Sequence, residues 1–172
     1  MKLAIRRSLV AAVLLLAARG SFAAVGVPVS VEDLARGSDA VVRGKVTGVS
    51  ARWEGTRIYT FTEVDVTSVW RGSAPARIRV ATPGGVVGRI GQRVDGAAVF
   101  APAEEVVVFL AKGDGGAFRV NGLAQGKFAV RGVTASPDLA HTTFLAKEIA
   151  TGERRSEEMS VEELERRVRS IR

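Results

Sequence analysis

Five consecutive apolar residues, Val106-Val107-Val108-Phe109-Leu110, constrain the fold of this chain more than any other feature. Successive residues of a strand point to opposite faces, so a strand with no polar break is buried on both. It belongs at the centre of a sheet, not at its rim. Lys112-Gly113-Asp114-Gly115-Gly116 follows it and reads as a hairpin turn, with Phe118 and Val120 on the returning strand. Glu104 and Glu105 mark its solvated entry; being adjacent, they point apart and cannot share a site.

The rest of the chain reads as short strands around that centre. Over residues 39–49, Val42, Gly44, Val46 and Gly48 alternate with Arg43, Lys45 and Thr47. This period of two puts the basic side chains in water, and the two glycines let the strand coil. Residues 50–56 are expected to be a loop carrying Trp53 and Gly55. Residues 57–70 are a long strand whose phase changes between Tyr59, Phe61 and Val64, Val66, which calls for a bulge near Thr62 and Glu63. Residues 71–75 make a turn, and residues 77–82 a third strand with Ile78 and Val80 inward. Pro83-Gly84-Gly85 ends that strand, and the stretch to Gly91 is hairpin-like. Residues 97–100 read as a short strand closed by Pro102, and Phe128 with Val130 as another. Phe144-Leu145-Ala146 is a further strand candidate, with a turn at residues 150–153.

Two short helices flank the strands. Ser30 caps one that carries Glu32 and Asp33 in its first turn and stops at Gly37. Ser160 opens the other, with Glu163 completing a capping box and Val161, Leu164, Val168 and Ile171 along one stripe. That stripe is expected to cover the side of the barrel. The fold class is therefore mainly β: a small β-barrel over residues 39–131, with a short N-terminal helix in residues 24–38. A C-terminal extension of strand and turn, ending in the amphipathic helix, occupies residues 132–172. Val42, Val46, Val64, Val106, Val108, Leu110 and Phe118 are the expected core.

Composition bounds the function. The 172 residues carry a net charge of +7, one histidine and no cysteine, which removes disulfides, cysteine-ligated metals and thiol nucleophiles. Much of the positive charge belongs to the first 23 residues. Lys2, Arg6 and Arg7 precede the apolar run of residues 9–18, and Ser21-Phe22-Ala23 supplies the small residues of a cleavage site. This is the order of a secretory signal peptide, and the run is shorter than the ~20 residues of a membrane span. The Arg6-Arg7 pair fits a Sec leader or a twin-arginine leader, Sec being the simpler reading. Cleavage after Ala23 removes four basic residues and no acidic one, so the side-chain charge falls from +7 to +3. The expected location is periplasmic or secreted, with no stable membrane anchor after cleavage. A charge of this size does not argue for nucleic acid.

Three segments resemble netrin-like and tissue-inhibitor-of-metalloproteinase domains. Ser38-Asp39-Ala40-Val41-Val42-Arg43-Gly44-Lys45-Val46 is similar to their opening strand, and Val69-Trp70-Arg71-Gly72 to the end of the next. Glu105-Val106-Val107-Val108-Phe109-Leu110-Ala111 resembles their later buried strand. Small exported bacterial proteins with such a strand and a Gly-Lys-Phe segment, here Gly126-Lys127-Phe128, are similar too. The resemblance implies an OB-type barrel. Inhibitors of that family bind the protease zinc through the amine and carbonyl of an N-terminal cysteine; the expected mature start here is Ala24-Val25.

No catalytic constellation emerges from the residues. His141 has no second histidine and no carboxylates at ligand spacing, and no nucleophile elbow is present. Gly84-Gly85-Val86-Val87-Gly88-Arg89-Ile90-Gly91 lacks the lysine and helix of a phosphate loop. No metal, cofactor or catalytic residue is assigned. The expectation is a non-enzymatic binding or protein-interaction module whose partner is an extracytoplasmic protein. The alternatives are a protease inhibitor and a binder of polyanions or single-stranded nucleic acid. Trp53 is the expected anchor, with Arg52 and Arg57 beside it, and Arg89 and Arg93 form the alternative surface.

Overall fold

The computed structural model describes residues 25–26, 28–137, 139, 143–144 and 158–171. The expected leader, His141 and the expected turn at residues 150–153 lie outside the described residues. The elements in chain order are β1 (Val25–Gly26), α1 (Val31–Arg36), β2 (Ala40–Glu54), β3 (Arg57–Gly72), β4 (Arg77–Pro83), β5 (Gly85–Val87) and β6 (Ile90–Gln92). They continue with β7 (Glu105–Lys112), β8 (Phe118–Val120), β9 (Lys127–Arg131), β10 (Thr134–Pro137), β11 (Thr143–Phe144), β12 (Met159–Ser160) and α2 (Val161–Arg169).

The main sheet runs β12-β10-β9-β7-β2-β3-β4-β8, and β8 returns to pair with β7. Strands β2, β3, β4, β8 and β7 thus curl into a barrel-like sheet. Closure is partial. β4 meets β8 through the single parallel pair Val80↔Phe118, while β8 holds Leu110, Ala111 and Lys112 of β7. The first half of β7 instead pairs with β9, which carries the sheet away from the barrel toward β10 and β12. The coil of β2 depends on Gly44: a Cβ there would lie 2.5 Å from the Asp65 carbonyl oxygen across the ladder.

The central strand separates two apolar layers. Val106, Val108 and Leu110 point into the barrel with Ala40, Val42, Val46, Val64, Ile78 and Val80, and Phe118 packs against them. Val107 and Phe109 point outward to Val41, Phe128, Val130 and both helices. Leu34 of α1 and Leu164 and Val168 of α2 cover this outer face, so the α2 stripe lies on the side of the barrel. Arg167 of α2 donates to both carboxylate oxygens of Glu32 in α1 at 2.7 and 2.6 Å and ties the helices together. Ser30 and Ser160 accept the amides of Asp33 and Glu163 as caps. The Glu163 carboxylate turns to Arg166 instead of back to the cap, so the capping box is half formed.

Several expectations need correction. Residues 50–56 are not a loop: β2 runs to Glu54 and only Gly55 and Thr56 turn the chain. The bulge faces Thr62 and Glu63, but its extra residue is Thr47 of β2, between the pairs Val46↔Val64 and Gly48↔Glu63. A second shift, between Val41 and Val42, gives β3 its extra residue Trp70, which turns into the outer layer. Residues 97–100 alternate in burial, yet they pair with no strand; Ala98 and Phe100 plug the barrel interior from an irregular segment. β10 and β12 were not legible, because each is short and completes the sheet only after β9 is in place.

Candidate binding site

The β2–β3 hairpin extends beyond the part of β2 that β7 covers. Its ladder pairs Ser50 with Phe61, Arg52 with Tyr59, Trp53 with Ile58, and Glu54 with Arg57. Alternation then sorts the arm into two faces. Arg52, Glu54, Arg57, Tyr59 and Phe61 share one face, while Val49, Ala51, Trp53, Ile58 and Thr60 share the other. The expected trio of Trp53, Arg52 and Arg57 is therefore split. Trp53 is 44% exposed and lies on the side opposite the two arginines.

The arginine face opens into a groove of about 420 Å³. Arg52, Tyr59 and Phe61 come from the hairpin, Arg79 and Ala81 from β4, Asp114 from the turn after β7, and Arg119 from β8. The Arg52 guanidinium sits 4.1 Å above the Phe61 ring and 2.8 Å from Glu54. Arg79 reaches Glu63 at 2.6 Å across the ladder, and Arg119 lies 4.0 Å from Asp114. Farther along the same face, Arg77 donates to Asp65 at 2.6 Å. Those hydrogen bonds, and the guanidinium charge, hold the Asp65 carboxyl below its ordinary value against a smaller opposing effect of desolvation. Arg77 is raised in turn, chiefly by the same hydrogen bonds.

The other face is covered by the β5–β6 hairpin. Gly84 donates its amide to the Ile58 carbonyl, Gln92 accepts the Ile58 amide through its side chain, and the Thr60 hydroxyl donates to the Gly84 carbonyl, each at 2.8 Å. Gly85, at φ +136°, rests on this face so closely that a Cβ would lie 2.5 Å from the Thr60 hydroxyl. Between this hairpin and residues 94–100 runs an apolar groove of about 440 Å³, lined by Val49, Val86, Val94, Val99 and Phe100. Arg93 lies at its wall and pairs with Asp95 at 3.2 Å, whereas Arg89 is exposed in the β5–β6 turn.

The two acidic residues before the central strand do point apart. Glu104 takes the buried amine of Lys127 at 2.6 Å, and Glu105 takes Arg43 at 2.6 Å. Among the described residues no three histidine, aspartate or glutamate side chains converge as metal ligands do. Tyr59, Phe61, Arg79 and Arg119 are not among the site residues expected from sequence. The spacing of Tyr59 and Phe61, with Arg79 at the same period on the next strand, is a signal that could have found three of them; Arg119 joins only through barrel closure. No protein-family model matches the chain. No curated protein matches it significantly.

Proposed function

We propose that the protein is an exported, non-enzymatic binding module whose arginine-lined groove takes an extended acidic segment of an extracytoplasmic protein. One observation carries this reading: Arg52, Arg79 and Arg119 reach one groove from β2, β4 and β8, beside the rings of Tyr59 and Phe61. Guanidinium forks hold carboxylates in two-point contacts, and aromatic rings add contact area at small entropic cost. Their present partners Glu54, Glu63 and Asp114 are exposed or partly exposed, and such pairs are worth ~1 kcal/mol or less, so a ligand carboxylate exchanges for them readily. OB-type barrels use the corresponding face, the second and third strands with the adjoining loops, for extended ligands; this support is by analogy of fold. Export rests on the residue order of the first 23 residues.

A polyanion or single-stranded nucleic acid is the second reading, favoured by the stacking of Arg52 on Phe61. Against it, Glu54, Glu63 and Asp114 interrupt the positive charge that a continuous phosphate chain needs. Fluorescence anisotropy with a short oligoglutamate and an oligothymidylate of equal length decides between them. The expected result is oligoglutamate binding that the Arg79→Ala/Arg119→Ala double variant weakens about tenfold or more without lowering the melting temperature. Tighter oligothymidylate binding with a steep salt dependence overturns the acidic-segment reading in favour of the polyanion. Inhibition of a secreted metalloproteinase by the wild type and the double variant alike places the function in the inhibitor class instead.

A further inference from the structure

We propose that the free edge of β2 is a homodimer seam, in which two copies of the chain pair their β2 strands antiparallel about a twofold axis at Ala51.

The edge begins where β7 ends. β7 pairs with β2 only from Ala40 to Lys45. Val46 is still occupied: its amide donates to the Glu104 carbonyl at 2.8 Å and its carbonyl accepts from Ala103 at 3.0 Å. Beyond it, no strand among the described residues lies along β2 on the side away from β3.

The backbone groups that face this edge can be assigned. The Ile58 amide donates to Gln92 and its carbonyl accepts from Gly84, so both point away from β2. In an antiparallel ladder directly opposed residues face the same way, toward each other or apart. Trp53, opposite Ile58, therefore directs its amide and carbonyl to the free edge. The register has no shift between Gly48 and Glu54, so Ala51 and Val49 do the same.

These three residues are self-complementary. An axis at Ala51 sets Ala51 against Ala51 and Val49 against Trp53 of the second copy. Each outward amide then meets an outward carbonyl, and each half of the seam gains a cross-strand pair of a β-branched and an aromatic side chain. Val49 and Trp53 are 37% and 44% exposed in the single chain. Moving the axis to Val49 sets Trp53 against Lys45, whose edge β7 already holds. Moving it to Trp53 sets Val49 against Arg57, beyond the turn. An axis at Arg52 sets the two Arg52 side chains, of like charge, directly against each other, and an axis at Ser50 carries Trp53 to Thr47 at the bulge, so each gives a poorer match than Ala51.

The edge also lacks the usual guards. Residues 47–54 contain no proline and no lysine, and their two charges, Arg52 and Glu54, neutralise each other at 2.8 Å. The β5–β6 hairpin, packed on the Ala51 face, adds exposed Val86 and Ile90 next to the seam. A seam of this length is small, so the dimer is concentration-dependent, with a Kd on the order of tens of micromolar.

Sedimentation velocity on the purified protein up to about 0.5 mM tests this. The expected result is a monomer–dimer equilibrium that Ala51→Pro, which deletes the central donor, weakens at least about tenfold. Trp53→Lys, an exposed change that spares folding, does the same. The chain has no cysteine, so Ala51→Cys supplies a single thiol at the axis; mild oxidation should cross-link it as a dimer, and Arg52→Cys far less. A monomer at every concentration overturns the proposal, including one whose edge amides are protected only by an added strand-forming peptide. So does a dimer that survives Trp53→Lys and shows no preference for cross-linking at position 51.

Discussion

Strands β2 and β3 form one continuous ladder, yet its two halves live in different surroundings. From Ala40 to Val46 the ladder is wall to the barrel, with β7 on one side and β4 near the other, and Val42, Val46 and Val64 are buried. From Gly48 to Glu54 the same strand carries exposed Val49, Arg52, Trp53 and Glu54. Residue types and period hardly change between the halves. What changes is whether a third strand and a second layer are present. Alternation specifies two faces of a strand, and only neighbours decide which face leaves water.

The largest expected effect breaks the buried half. Val108→Asp puts a carboxylate into the barrel interior, where Val108 is 0% exposed and the amine of its cross-strand neighbour Lys127 is already taken by Glu104 at 2.6 Å. The cost exceeds about 4 kcal/mol, and the far-ultraviolet circular dichroism of a folded β protein should be lost. Retention of a cooperative melt near the wild-type temperature would show that the barrel has no closed interior.

Two glycines on the same strand sharpen the contrast. Gly44→Ala forces a methyl against the Asp65 backbone oxygen and Val64 Cγ1, at 2.5 and 2.7 Å, and should destabilise by about 1–3 kcal/mol. Gly48→Ala meets nothing nearer than the Glu63 Cβ and Cγ at 3.9 Å and should stabilise by about 0.4–1 kcal/mol through the unfolded chain. Chemical denaturation of the pair measures the difference; equal effects would erase the distinction between the halves.

Trp53→Ala probes the arm alone. With Trp53 44% exposed, stability should change by no more than about 0.5 kcal/mol. A strong fall in melting temperature would make Trp53 a core residue of the arm.

The smallest effect concerns acid. The folded-state pKa of Asp65 lies below its ordinary value of 3.8. Its contribution is therefore complete above that value and is lost as pH falls through the lowered one. Asp65→Asn should flatten this part of the acid limb and leave stability at neutral pH almost unchanged, because the Arg77 pair is exposed to solvent. A large loss at neutral pH would show that the pair is a structural tie.

Local pattern and tertiary arrangement divide the explanation unevenly. The central strand, the inward set Val42, Val46, Val64, Val106, Val108 and Leu110, both serine caps and the apolar stripe of α2 follow from residue order alone. Each depends on period or on a cap within one or two turns, and such signals are local. The length of β2, the irregular path of residues 97–100 and the extra residues at Thr47 and Trp70 do not. They depend on which strand lies alongside. The site shows the same division: Arg52 was legible as a candidate, but its partners were not. Trp53 is one residue away in sequence and on the opposite face in space, whereas Arg79 and Arg119 are distant in sequence and share the groove. A pleated strand sends neighbours apart, and a curled sheet brings remote strands together, so the chain's order determined the faces and only closure of the barrel decided what meets on them.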